Sequence, residues 1–153
     1  MSVYHARPLV DPRRLWTGGV VAAIVVAGVV VVCFLIVRGI LDIPVLGVDL
    51  SGGIFLPSML GYAFGAAVAT LLLTGLAHLL LLTTPRPRFF LGWIIGVITA
   101  IGVIVPFTKS APLEVQLATA AVNLIVGITI GVMLSTTAAA SAGRRVPPAY
   151  PVA

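Results

Sequence analysis

Four apolar runs constrain this chain more than any other feature: Leu15 to Val37, Leu60 to Leu82, Phe89 to Phe107 and Leu117 to Leu134 hold 23, 23, 19 and 18 residues without one Asp, Glu, Lys or Arg. A helix needs about 20 such residues to cross the hydrocarbon core of a bilayer. Backbone groups in lipid find no water to bond, so each run must satisfy its own N–H and C=O groups by forming a helix. The resulting fold class is all-α: a polytopic membrane protein, an antiparallel bundle of four transmembrane helices. Residues 1–14 form an N-terminal tail, 15–134 the transmembrane domain and 135–153 a disordered C-terminal tail, and none of the connecting segments is long enough to fold alone.

The net charge of +5 invites a nucleic-acid partner, but its placement argues for membrane topology instead. Arg7, Arg13 and Arg14 precede the first run, Arg86 and Arg88 separate the second from the third, and Arg144 and Arg145 follow the fourth. Only Arg38 and Lys109 fall on the other side, with Asp42, Asp49 and Glu114. The positive-inside rule therefore places both termini in the cytoplasm of a plasma-membrane protein whose first partner is the lipid bilayer.

The segment Gly39 to Met59 is the largest external loop expected, and Pro44, Gly47, Ser51, Gly52, Gly53 and Pro57 interrupt any helix there. Its apolar residues Ile43, Val45, Leu46, Ile54, Phe55 and Leu56 suit packing on the mouth of the bundle or the headgroup layer better than free solvent. Pro85 and Pro87 keep the second and third helices apart. Pro106 falls in the last turn of the third, where a lost backbone bond costs least.

Helices in lipid meet through small and weakly polar residues. Such stripes run through Ala63, Ala67, Thr70, Thr74 and His78 in the second span and through Gly92, Gly96, Thr99, Gly102 and Pro106 in the third. The fourth carries Gln116, Thr119, Asn123, Gly127 and Gly131, and the first a weaker set, Gly19, Ala23 and Ala27. Three pairs, Gly61/Gly65, Gly92/Gly96 and Gly127/Gly131, have the spacing that lets helix backbones touch, within the bundle or in a homodimer. Thr70, Thr99 and Asn123 each fall near the middle of their runs, which predicts a small polar layer at the midplane.

His78 is the candidate intramembrane titratable group, about one turn from the arginine side of the second span. Such a residue is a functional hypothesis by default, though at that depth it also reaches headgroups or a neighbouring carbonyl. No carboxylate falls within the runs, a lone Cys33 excludes an internal disulfide, and no nucleophile–base, phosphate-loop or zinc pattern occurs. No catalytic, cofactor-binding or metal-binding residue is therefore expected, and the chain reads as a non-enzyme.

The segments GLAHLLLLTTPRPRFFLGWIIG and PFTKSAPLEVQLATAAVNLIVGITIG resemble a domain-of-unknown-function family of small four-helix membrane proteins from actinobacteria. That resemblance runs from about Arg14 to Leu134, implies the same bundle and transfers no activity. The leading expectation is a structural or partner subunit of the plasma membrane, working with an unidentified membrane protein or as a homo-oligomer. The alternative is a small transporter or channel, working as a homodimer, with the polar layer as its path.

Overall fold

A computed structural model describes residues 12–48, 53–84 and 86–141 of the chain. Four helices carry the fold: α1 (Pro12–Phe34), α2 (Met59–Thr83), α3 (Pro87–Ile104) and α4 (Leu113–Ser141). With their terminal turns they form stretches of 29, 25, 22 and 29 residues, each long and apolar enough to cross a membrane. The fold is the all-α four-helix membrane bundle expected from the apolar runs.

The helices begin and end for local reasons. Pro87 opens α3, where its missing N–H would have no helical partner anyway. The Ser58 hydroxyl accepts the Gly61 N–H at 3.0 Å and caps α2. α1 widens into a π-helical turn, Leu35–Ile40, which closes with the Ile43 N–H on the Val37 carbonyl at 2.9 Å. Asp42 then takes a left-handed conformation with φ of 54°, which turns the chain back over the bundle.

Beyond this turn the chain forms a short antiparallel hairpin, β1 (Gly47–Val48) with β2 (Ile54–Phe55). Gly47 lies opposite Phe55, whose ring covers the space a side chain at 47 would fill. Val45 is buried, and the Leu46 N–H donates to the Thr119 hydroxyl of α4 at 3.0 Å. The loop thus packs on the bundle mouth, as its apolar residues suggested.

The expected boundary of the fourth helix needs correction. Residues 135–141 continue α4 and do not belong to a tail. The segment is rich in alanine, a strong helix former, and its Thr136, Thr137 and Ser141 hydroxyls bond back to carbonyls of their own helix. Ala138 and Ser141 are both 1% exposed, so packing holds this last stretch in place. The remaining tail, 142–153, and the N-terminal residues 1–11 lie outside the described residues.

α1 packs along both α2 and α4, and α3 packs along α4, while α2 and α3 share a much smaller interface. Threonines seated against glycines make the close approaches. Gly18 and Gly19 of α1 receive Thr137 of α4 and Thr74 of α2, and Gly127 of α4 receives Thr99 of α3. Each of these hydroxyls donates to a carbonyl of its own helix at 2.8 Å, so the side chain presses on the neighbour without an unmatched donor. Gly92 and Gly96 have nothing within 4 Å of where a Cβ would stand and look outward from α3. Of the three glycine pairs expected to bring helices together, Gly127/Gly131 is the one that meets another helix, Gly131 lying 3.5 Å from Ile95 by the same measure.

Gly127→Ala is expected to displace Thr99 and cost about 1–3 kcal/mol, as overpacking does. Gly96→Ala, which enters open space, should leave stability unchanged or raise it by up to about 1 kcal/mol. Reversible unfolding in a detergent titration would compare the two.

Candidate functional site

A slot of about 630 Å³ opens where α2 and α3 part. Its walls are the hairpin-side ends of α2, α3 and α4, away from the end that carries Arg13, Arg14, Arg86 and Arg88, and the hairpin roofs it through Gly47 and Phe55. Small residues make the room: Gly61, Gly65, Ala66 and Ala69 line the α2 side. A Cβ placed on Gly65 enters open space and one on Gly61 meets only the Ser58 hydroxyl of its own helix cap, so neither glycine faces a neighbouring helix backbone. Gly61, Gly65 and Ala69 are exposed, so the slot is open to the surroundings of the bundle.

A three-helix hydrogen-bonded chain crosses this slot, and its origin is a proline. Pro106 has no N–H, so the helical acceptor four residues earlier, the Gly102 carbonyl, loses its usual donor. In an apolar setting that carbonyl needs another partner. Asn123 of α4 supplies it, donating from Nδ2 to the Gly102 oxygen at 2.6 Å. The Tyr62 hydroxyl of α2 in turn donates to Asn123 Oδ1. Tyr62 is also held by the Phe34 ring of α1, with centroids 5.2 Å apart and planes tilted by 50°. One asparagine thereby ties α2, α3 and α4 together at the level where α2 and α3 separate.

The rim carries two cations. Lys109, just beyond the 3₁₀ turn Val105–Thr108 that extends α3, lines the slot. Arg38 donates to the carbonyl of Pro57, another lining residue, at 3.5 Å. The carboxylates Asp42 and Glu114 are not among the lining residues. The loop that holds Lys109 is itself fixed: Gln116 Nε2 donates to the Lys109 and Ala111 carbonyls, each at 2.9 Å.

The three residues expected as one midplane layer each have a different hydrogen-bond partner. Thr70 is fully buried and donates to the Ala66 carbonyl of its own helix at 2.8 Å, one turn from the Thr74 that faces α1. Thr99 bonds to Ile95 and packs on Gly127. Asn123 alone lines the slot. The extension of α4 to Ser141 moves the middle of that helix past Asn123, which leaves it in the half nearer the hairpin, level with Tyr62 and Gly102. His78 is not among the slot residues, and its Nδ1 is buried with no hydrogen-bond partner among the described residues. Cys33 is buried and free.

Hydropathy does not single out Tyr62, and Lys109 was legible only as one external charge. The signal for the first lay in Pro106: a carbonyl freed four residues upstream calls for a donor on a neighbouring helix, and Asn123 is the one side-chain amide in the middle of any apolar run.

Fold and slot together define a four-helix membrane bundle with a lateral cavity in one half. The chain belongs to the family of unknown function DUF6069, whose model matches residues 10–140. No curated protein and no solved structure is significantly similar to it.

Asn123→Leu removes a donor and an acceptor at once, stranding the Gly102 carbonyl and the Tyr62 hydroxyl. At about 0.6–2 kcal/mol per interhelical bond the expected loss is about 1–4 kcal/mol, and Tyr62→Phe should lose less. A double-mutant cycle should show coupling between Tyr62 and Asn123; additive effects would contradict the bond.

Proposed function

We propose that this is a non-enzymatic plasma-membrane protein that acts as a partner subunit by holding an apolar group in its slot. The slot is the observation that carries this reading, because its volume falls within the roughly 300–1,000 Å³ of small-molecule sites and its walls are mainly apolar. Two of its polar side chains are engaged within the wall, Tyr62 with Asn123, and Asn123 with Gly102. Such walls hold and orient a guest. They offer hydroxyls, an amide and an ammonium, with no nucleophile set beside a base among the described residues.

The arginine distribution supports an orientation with both termini cytoplasmic and the slot facing outward. A reporter fused after Ala153 should be active only if it works in the cytoplasm; activity of an external reporter would invert the assignment.

Transport through the bundle is the second reading. It is favoured by one observation, that the slot reaches from the loop end to the middle of α2, as an outward-facing half-path does. Thr70 and Thr99 lie off that path, bonded within their own helices.

Release from lipid nanodiscs under native mass spectrometry is expected to show a stoichiometric guest or protein partner retained by the wild-type chain. Proteoliposomes should show no flux above protein-free vesicles. A flux abolished by Asn123→Leu or His78→Leu would replace the subunit reading with transport.

A further inference from the structure

α3 carries an arginine at the head of an open row of small residues. Arg88, Gly92, Gly96 and Ala100 are spaced by four and share one ridge of the helix, and Phe89, Trp93 and Val97 form the ridge beside it. Together they line a groove of about 530 Å³ that shares no residue with the slot. A Cβ on Gly92 or Gly96 would meet nothing within 4 Å. The Phe89 and Trp93 rings wall the groove in edge contact, centroids 6.3 Å apart, and are 61% and 64% exposed. From Arg88 to Ala100 the groove runs about 18 Å at roughly 1.5 Å per residue. That is the depth of one leaflet of a core about 30 Å thick, with room for a headgroup.

The head of this groove is electropositive. Among the described residues the Arg88 guanidinium has no ion-pair or hydrogen-bond partner, and the described carboxylates, Asp42 and Glu114, belong to the hairpin end. α3 begins with no side-chain cap and no acidic residue in its first turn, so the positive end of the helix dipole is open at the same place. The segments before α1, between α2 and α3 and after α4 hold seven arginines against one carboxylate side chain, Asp11. Asp11 lies outside the described residues, and the excess of positive charge survives whichever arginine it pairs with.

We propose that this groove binds an anionic phospholipid of the leaflet at the arginine end, its phosphate on Arg88 and the first turn of α3 and one acyl chain along Gly92, Gly96 and Ala100. The site is separate from the slot and goes beyond the reading above. A guanidinium bonds a phosphate through two parallel N–H groups, and a helix start adds backbone donors to the same anion. The acyl chain fills the furrow over the glycines, with the Phe89 and Trp93 rings as its wall. A second copy of the protein suits this face less well, because in the same membrane orientation it would set its own Arg88 beside this one.

The test is native mass spectrometry of protein released from nanodiscs made with equal parts of palmitoyl-oleoyl phosphatidylglycerol and the phosphatidylcholine of the same chains. The wild-type protein should retain phosphatidylglycerol in preference. Gly96→Leu enters open space, so it should keep its unfolding midpoint while the occupancy of one bound phosphatidylglycerol falls about tenfold. Gly28→Leu, equally open on α1 and lining neither groove nor slot, should retain that lipid. Arg88→Gln should erase the preference for phosphatidylglycerol, whereas Arg86→Gln, which removes the same charge outside the groove, should keep it.

A wild-type chain that retains no phosphatidylglycerol, or Gly96→Leu retaining it as wild type does, would overturn the proposal. So would equal losses in Arg88→Gln and Arg86→Gln, the mark of diffuse charge, or a dimer of the chain that Gly96→Leu dissociates. None of these results bears on a guest of the slot, which Gly65→Leu reports separately.

Discussion

The bundle depends on threonine side chains seated against glycine backbones. Helices in lipid gain little from hiding apolar surface from one another, so close contact and shape decide which helices adhere. Gly18 and Gly19 are adjacent on α1 yet point to different neighbours, and each is filled by a threonine, Thr137 from α4 and Thr74 from α2. Gly127 with Thr99 repeats the device between α4 and α3. In every case the threonine hydroxyl is satisfied by its own helix, so the contact buries no unmatched polar group.

The α2/α3 seam lacks this device, and the slot is the result. α2 brings Gly61 and Gly65 to the seam, but α3 offers no threonine to fill them. The two helices are held together at the arginine end by the short connection around Arg86 and are free to part toward the other. The chain from Tyr62 through Asn123 to Gly102 spans the gap at that level. A single proline upstream of the loop therefore has two effects: it ends α3, and it frees the carbonyl that gives Asn123 its position.

Much of this was readable residue by residue. The four spans follow from hydropathy, the loop's packing from Val45 and its neighbours, and the contact role of Gly127 from its stripe on α4. Which of the mid-run polar residues lines the slot was not readable. Thr70, Thr99 and Asn123 share a depth in the apolar runs, but depth alone does not say which face of a helix meets which neighbour. The length of α4 was also hidden, because the segment after Leu134 is only weakly apolar and is held by its seat against α1.

The sequence by itself determined four membrane-length helices, the concentration of arginine at one end and the small-residue faces available for contact. Those are properties of each segment against its solvent, and hydropathy and helical period suffice to read them. Only the tertiary structure decided what those faces do. Gly61/Gly65, Gly92/Gly96 and Gly127/Gly131 have the same spacing, yet the first borders a cavity, the second faces outward and the third is packed by α3. The difference lies in whether a neighbouring helix brings a side chain of the right shape to the same height, and that depends on the relative placement of segments distant in sequence.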